Sequence, residues 1–321
     1  MDPALRPMGT AQVLDRTFHL YRNNFVLLAG IGALLPAMLL VIQLAFIPLG
    51  IPPRAGTRQT PELAVFLLFG YLCCYGVIYV LGSALAGGAA VFAVSKLHLG
   101  EKLTIAQAYK QVFSRFWRVL GVIVLVSLIV FGALFVGEVV GIIIFAIFAS
   151  SLFTRGSISA GMTAGMVVGI VWGALMFAAG TFAAFLLYCK LSLAVPACIL
   201  EQQSVGSALG RSWNLTKQSV GRLMLVYLLT WVVGVALALA FGMPAQLYGL
   251  FLQRKAFVVG VVLQHLGSFI AGVLASPISN IAVALIYYDQ RVRKEAFDLQ
   301  LMVEAVGQQQ AAVAAAPPII G

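Results

Sequence analysis

Residues 104–154 read TIAQAYKQVFSRFWRVLGVIVLVSLIVFGALFVGEVVGIIIFAIFASSLFT, and the two halves of that stretch follow different rules. In the first half, Ile105, Ala108, Tyr109, Val112, Phe113, Phe116 and Trp117 fall at i, i+3, i+4, i+7, i+8, i+11 and i+12. That spacing predicts a helix with one apolar face. From Val119 to Thr154 the periodicity vanishes. The run is apolar on every side, and Glu138 is its only charged residue. A helix apolar all round needs an apolar surrounding, and about 20 such residues cross a hydrocarbon core of about 30 Å. The stretch therefore reads as an amphipathic helix in the membrane interface, followed by a spanning helix.

The same unit recurs on either side. Val205, Ala208, Leu209 and Trp213 stand 100 residues after Ile105, Ala108, Tyr109 and Phe113. Val13, Leu14, Thr17, Phe18 and Tyr21 stand 95 residues before Ala108, Tyr109, Val112, Phe113 and Phe116. Gly9, Thr104 and Ser204 occupy the matching helix starts, and each suits an N-cap. Five further apolar runs carry no charge: Phe25–Pro53, Leu63–Ser95, Gly156–Cys189, Leu223–Gln253 and Ala256–Tyr288. The fold class predicted is all-α, a bundle of about six spans with three interfacial helices in a threefold repeat. The repeat units run over 9–97, 104–192 and 204–288, in one membrane domain covering 1–306. Leu63–Leu97 could instead divide into two half-helices near Gly82, Gly87 and Gly88. A charged segment, 289–306, precedes a tail at 307–321, GQQQAAVAAAPPIIG, which reads as disordered low complexity.

The composition agrees. The chain is 62% hydrophobic and 9% charged, against about 25% charged in an ordinary soluble domain. So little charge cannot cover a water-exposed surface. The net charge of +10 does not point to nucleic acid, because the Lys and Arg residues sit between apolar runs rather than along one wet face. Fifteen of the twenty fall on the side holding the N-terminus, the 96–118 and 190–222 links and the C-terminal segment. Arg54, Arg58, Arg155, Arg254 and Lys255 fall on the other. That asymmetry places both termini in the cytoplasm. The first apolar run, from Phe25 past Ile47, is too long for a cleaved signal. Cys73, Cys74, Cys189 and Cys198 show no CxxC spacing and read as small buried apolar residues, without disulfide or zinc. No nucleotide loop, HExxH or GxSxG is present, and the cytoplasmic links are short. No enzymatic activity, cofactor or metal is expected.

Three groups of residues stand out. Gly161, Gly165, Gly169 and Gly173 make one flat helix face for close packing within the chain or between copies. Glu138 and His265 are ionisable residues within spans, where polarity marks function by default. Counted from the outer ends of their runs they lie at similar depth, which allows them to meet. His265, Ser268, Gly272, Ser276 and Ser279 continue as a small or polar stripe, with Asn280 beside it and Pro277 freeing a backbone carbonyl. This is a candidate intramembrane polar site, or an interhelical hydrogen bond. Finally, Glu201, Arg211, Arg222, Asp289, Arg291, Arg293, Lys294, Glu295 and Asp298 form a charged cluster at the cytoplasmic ends. It can close the bundle electrostatically or receive a partner.

Three segments also resemble a known family: LRPMGTAQVLDRTFHLYRNNF near the N-terminus, VPACILEQQSVGSALGRSWNLTKQSVGRL, and LIYYDQRVRKEAFDLQLM near the C-terminus. They resemble bacterial multi-pass membrane proteins similar to the membrane domain of glycerophosphoryl diester phosphodiesterases. The resemblance implies a bacterial inner-membrane location; the partners that the residues themselves allow are the bilayer, anionic lipids at the basic interfacial helices, and a membrane-protein partner or second copy. It does not imply phosphodiesterase activity, which belongs to a separate soluble domain of those enzymes. The function classes in view are a scaffold, envelope-maintenance factor or accessory subunit, and a transporter or lipid-translocating protein acting through Glu138 and His265.

Overall fold

The computed structural model describes residues 8–49, 60–98, 100–153, 160–217, 219–251 and 257–295. Every regular element among them is an α-helix. In chain order these are α1 (Thr10–Asn23), α2 (Phe25–Gly32), α3 (Leu34–Phe46), α4 (Pro61–His98), α5 (Ile105–Phe113), α6 (Phe116–Phe153), α7 (Ala160–Leu191), α8 (Ala194–Leu200), α9 (Val205–Thr216), α10 (Val220–Phe251) and α11 (Phe257–Glu295). Five are long and apolar enough to cross a membrane, and the bent pair α2–α3 makes a sixth. The tail, Asp298 and the five basic residues assigned to the outer side lie outside the described residues.

The three amphipathic helices are α1, α5 and α9, and they begin where the repeat predicts. Gly9 N–H donates to Gln12 Oε1 at 2.7 Å, and Thr104 N–H donates to Gln107 Oε1 at 3.0 Å. Ser204 and Ser207 share a hydroxyl contact of 2.9 Å at the third start. In the first two the glutamine reaches back to the N-cap N–H, and at the third the Ser207 hydroxyl also reaches the Ser204 carbonyl at 3.1 Å. Equivalent positions keep equivalent burial. Val13, Ala108 and Ala208 are fully buried, as are Thr17 and Ser212, with Val112 at 1%. Phe18, Phe113 and Trp213, one residue further on, all face outward. These three rings lie on the outer side of their helices, Trp213 beneath the Lys190 ammonium at 4.1 Å, whereas Tyr109 of the same predicted face turns inward. Trp117, 80% exposed, is the extreme case.

The described chain divides into two compact units, and the division ignores the repeat boundaries. One holds the chain up to Ser114 together with everything from Leu228 onward; the other is Arg115–Tyr227. Of the sequence-level alternatives for residues 63–97, the continuous one is found: α4 is a single helix. The break falls in the first span instead, where α2 and α3 meet at 40°. Pro36 explains it. Proline has no N–H to give the carbonyl of Gly32, and its ring crowds that carbonyl.

The released groups are satisfied from elsewhere in the same unit. Ser276 Oγ on α11 donates to the Gly32 carbonyl at 3.2 Å. The Tyr109 hydroxyl on α5 donates to the Ile31 carbonyl at 2.7 Å. Burial pushes that hydroxyl up to about 12, so it remains a donor at any ordinary pH. Two glycines let the helices close on the bend. A methyl on Gly32 would stand 2.8 Å from Pro277 Cγ, and one on Gly272 would stand 3.0 Å from Pro36 Cγ. Each proline ring therefore rests against the other segment's glycine.

Gly32→Ala is expected to lower stability by about 1–3 kcal/mol through overpacking against Ser276 and Pro277. Gly87, with nothing within 4 Å of an added methyl, is expected to gain about 0.5–1 kcal/mol on Gly87→Ala. Thermal unfolding of both variants in one detergent reads the opposite signs directly; equal shifts would refute the interlock.

Candidate functional site

In the Arg115–Tyr227 unit, α6 and α7 pack antiparallel through glycine. A methyl on Gly137 would stand 2.6 Å from Gly180 Cα, and one on Gly141 would stand 3.4 Å from the Gly173 carbonyl. The backbones are therefore in direct contact, which is the arrangement small residues permit between apolar helices. Of the predicted flat face, Gly173 makes this contact and Gly169 is buried. Gly161 and Gly165 belong to α7, but their surroundings lie outside the described residues. Gly180, half of the tightest contact, lies off the four-residue series and carries no sequence signal of its own; its pairing with Gly137 is visible only once the hairpin register is known.

Along one side of this contact runs an open groove of about 490 Å³. Glu138, Gly141, Ile142 and Phe145 line it from α6, and Ile170, Gly173, Ala174 and Phe177 from α7. Its floor is small, its rim aromatic, and Glu138 is its one charged group. Glu138 is half-buried and, among the described residues, has no hydrogen-bond or ion-pair partner. A carboxylate so placed can accept hydrogen bonds or meet a cation. It cannot by itself support acid–base chemistry that needs a second group.

His265 belongs to the other unit, half-buried on α11. The stripe below it does two kinds of work. Gly272 and Ser276 are taken up by the bend of the first span, while Ser268 is exposed and Ser279 and Asn280 are half-buried. The signal for Ser276 was in the sequence, since Pro36 implies a carbonyl at Gly32 in need of a donor. What the sequence lacked was which donor.

The charged residues sort into local groups. In the Arg115–Tyr227 unit, Arg211 Nε meets Glu201 at 3.0 Å, and Gln203 Nε2 donates to the same carboxylate at 2.9 Å. Arg115 Nη1 donates to the Ile199 carbonyl at 3.0 Å, and Arg222 has its Nε buried at the start of α10. In the other unit, Asp289 is fully buried and accepts from the backbone N–H of Met8 at 2.7 Å and from Arg293 Nε at 2.9 Å. Arg293 Nη2 returns to the Met8 carbonyl at 2.8 Å. Arg291 pairs with Glu295 at 3.2 Å, and Lys294 is exposed. The one carboxylate thus ties the entry of α1 to the end of α11. Met8 carried no sequence signal, because it takes part only through its backbone.

No protein-family model, curated protein or solved structure matches this chain. Among the described residues, no cluster of His, Cys, Asp or Glu could hold a metal ion. The four cysteines are free; Cys189 and Cys198 are buried, whereas Cys73 and Cys74 face outward on α4 and correct the expectation that all four are interior. An outward cysteine in lipid is as apolar in its setting as a buried one.

Asp289→Ala is expected to cost about 1–3 kcal/mol by leaving a buried N–H without its acceptor. It should also free the segment before α1, so that limited proteolysis cuts near Met8 sooner than in the wild type. Unchanged cleavage with unchanged thermal stability would show that the carboxylate does not hold this end.

Proposed function

We propose that the chain is a non-enzymatic module of a bacterial inner membrane, with both termini cytoplasmic, serving as a scaffold, envelope-maintenance factor or accessory subunit. The observation that carries this reading is the outward ring position shared by α1, α5 and α9. Phe18, Phe113 and Trp213 are each exposed at the equivalent place, and Arg22, Lys110 and Lys217 are exposed nearby. Aromatic rings and cations on one short helix suit the headgroup region of an anionic leaflet. The resemblance of the terminal segments to glycerophosphodiesterase membrane domains supports the location and adds no chemistry.

A second reading is transport or lipid translocation past Glu138 and His265. It draws on the place of Glu138 in the wall of the α6/α7 groove.

Anionic lipid is expected to raise thermal stability in liposomes, by about 2.7 kcal/mol at a hundredfold excess over Kd. The triple variant Arg22→Gln, Lys110→Gln, Lys217→Gln should lose most of that gain, at roughly 1 kcal/mol per cation. If neutral and anionic vesicles stabilise the protein equally, the proposal falls. The second reading requires the thiols of Glu138→Cys and His265→Cys, each made singly in a cysteine-free background, to react with a water-soluble reagent; protection at both positions removes it.

A further inference from the structure

We infer that the α6/α7 groove is a docking site for a transmembrane helix of another membrane protein, one that carries a Lys or Arg within its span. This deepens the accessory-subunit reading and rests on it. Three observations converge.

The first is shape. On α6, Glu138, Gly141, Ile142 and Phe145 fall at i, i+3, i+4 and i+7, and the α7 wall repeats that spacing from Ile170 to Phe177. Each wall is therefore one helical face two turns long, and the floor between them is glycine and alanine. A ridge of side chains from a third helix fits a trough of that form.

The second is charge. An acid within an apolar span is costly unless paired, and Glu138 has no hydrogen-bond or ion-pair partner among the described residues. A cation brought by the incoming helix supplies what the groove lacks, and a charge-assisted pair in such surroundings is strong.

The third excludes a second copy as the source of that cation. The six apolar runs of this chain contain no Lys or Arg. A copy of the same chain could bring only the weak base His265 to Glu138, so a permanent cation there comes from a different protein. The groove is also open to the side, with Ile170 and Phe177 each half or more exposed, which lets a helix enter laterally from the bilayer.

The test uses the full-length protein in vesicles of phosphatidylcholine alone, so that the anionic-lipid reading is not exercised. The probes are synthetic leucine–alanine helices long enough to span, carrying one Lys at the centre or one turn to either side, and a lysine-free control. Association is read by energy transfer to a label on the protein. At one of the three depths the Lys helix should associate roughly five- to tenfold more tightly than the control, the range one partly shielded charge pair supplies. Glu138→Gln should abolish the preference while leaving the control unchanged, and Ala174→Phe should weaken both by filling the floor. Equal association of Lys and control helices overturns the proposal, and this comparison needs no variant to fold. A preference that survives Glu138→Gln overturns it too. If an ammonium-headgroup lipid, added to the vesicles, is enriched around the wild type but not around Glu138→Gln, while the Lys helix shows no preference, the groove is a lipid site instead.

Discussion

A backbone carbonyl in a membrane has to be hydrogen-bonded by the protein itself, because lipid offers no donor. Much of the unit containing α1–α5 and α11 follows from how that rule is met at Gly32. Pro36 removes the helical donor and bends the span by 40°. Ser276 replaces the donor, and this requires α11 to approach within hydrogen-bond distance of α2. Such an approach is open only because Gly32 and Gly272 carry no side chain where the Pro277 and Pro36 rings must lie. One missing N–H thus dictates two glycines, one serine and the position of a whole helix. Tyr109 adds α5 to the same bend through Ile31.

The Arg115–Tyr227 unit meets the membrane in the opposite way. Here the helices gain contact through glycine, so that α6 and α7 touch backbone to backbone at Gly137 and Gly180. Along one side of that contact the larger Ile142, Phe145, Ile170 and Phe177 stand around the glycines and leave a groove. Glu138 lines this groove next to Gly137 of the tight contact.

The fold was legible to a large extent, for physical reasons. Apolar runs in the sequence have one solvent that suits them, and the periodicity of α1, α5 and α9 fixed their starts at Gly9, Thr104 and Ser204. What sequence could not resolve was direction within a face. Ala108 and Phe113 belong to one apolar stripe by spacing, yet one packs inward and the other outward. The polar site was less legible. Glu138 and Ser276 stand out in any reading of the spans, but their company depends on helix register. Pro36 and Gly32 were present as a signal, and the donor that answers them stands 244 residues further along the chain.

That separation has a bearing on how the protein is made. A chain emerges at about 5–20 residues per second, so Ser276 follows Gly32 by roughly 12–50 s. Tyr109 follows Ile31 after only 78 residues, several times sooner. Until residue 276 is made, the Gly32 carbonyl cannot meet the hydroxyl that it accepts from in the folded chain. The bend at Gly32 is thus completed by nearly the last part of the chain to be made, whereas its contact with α5 is available a third of the way through.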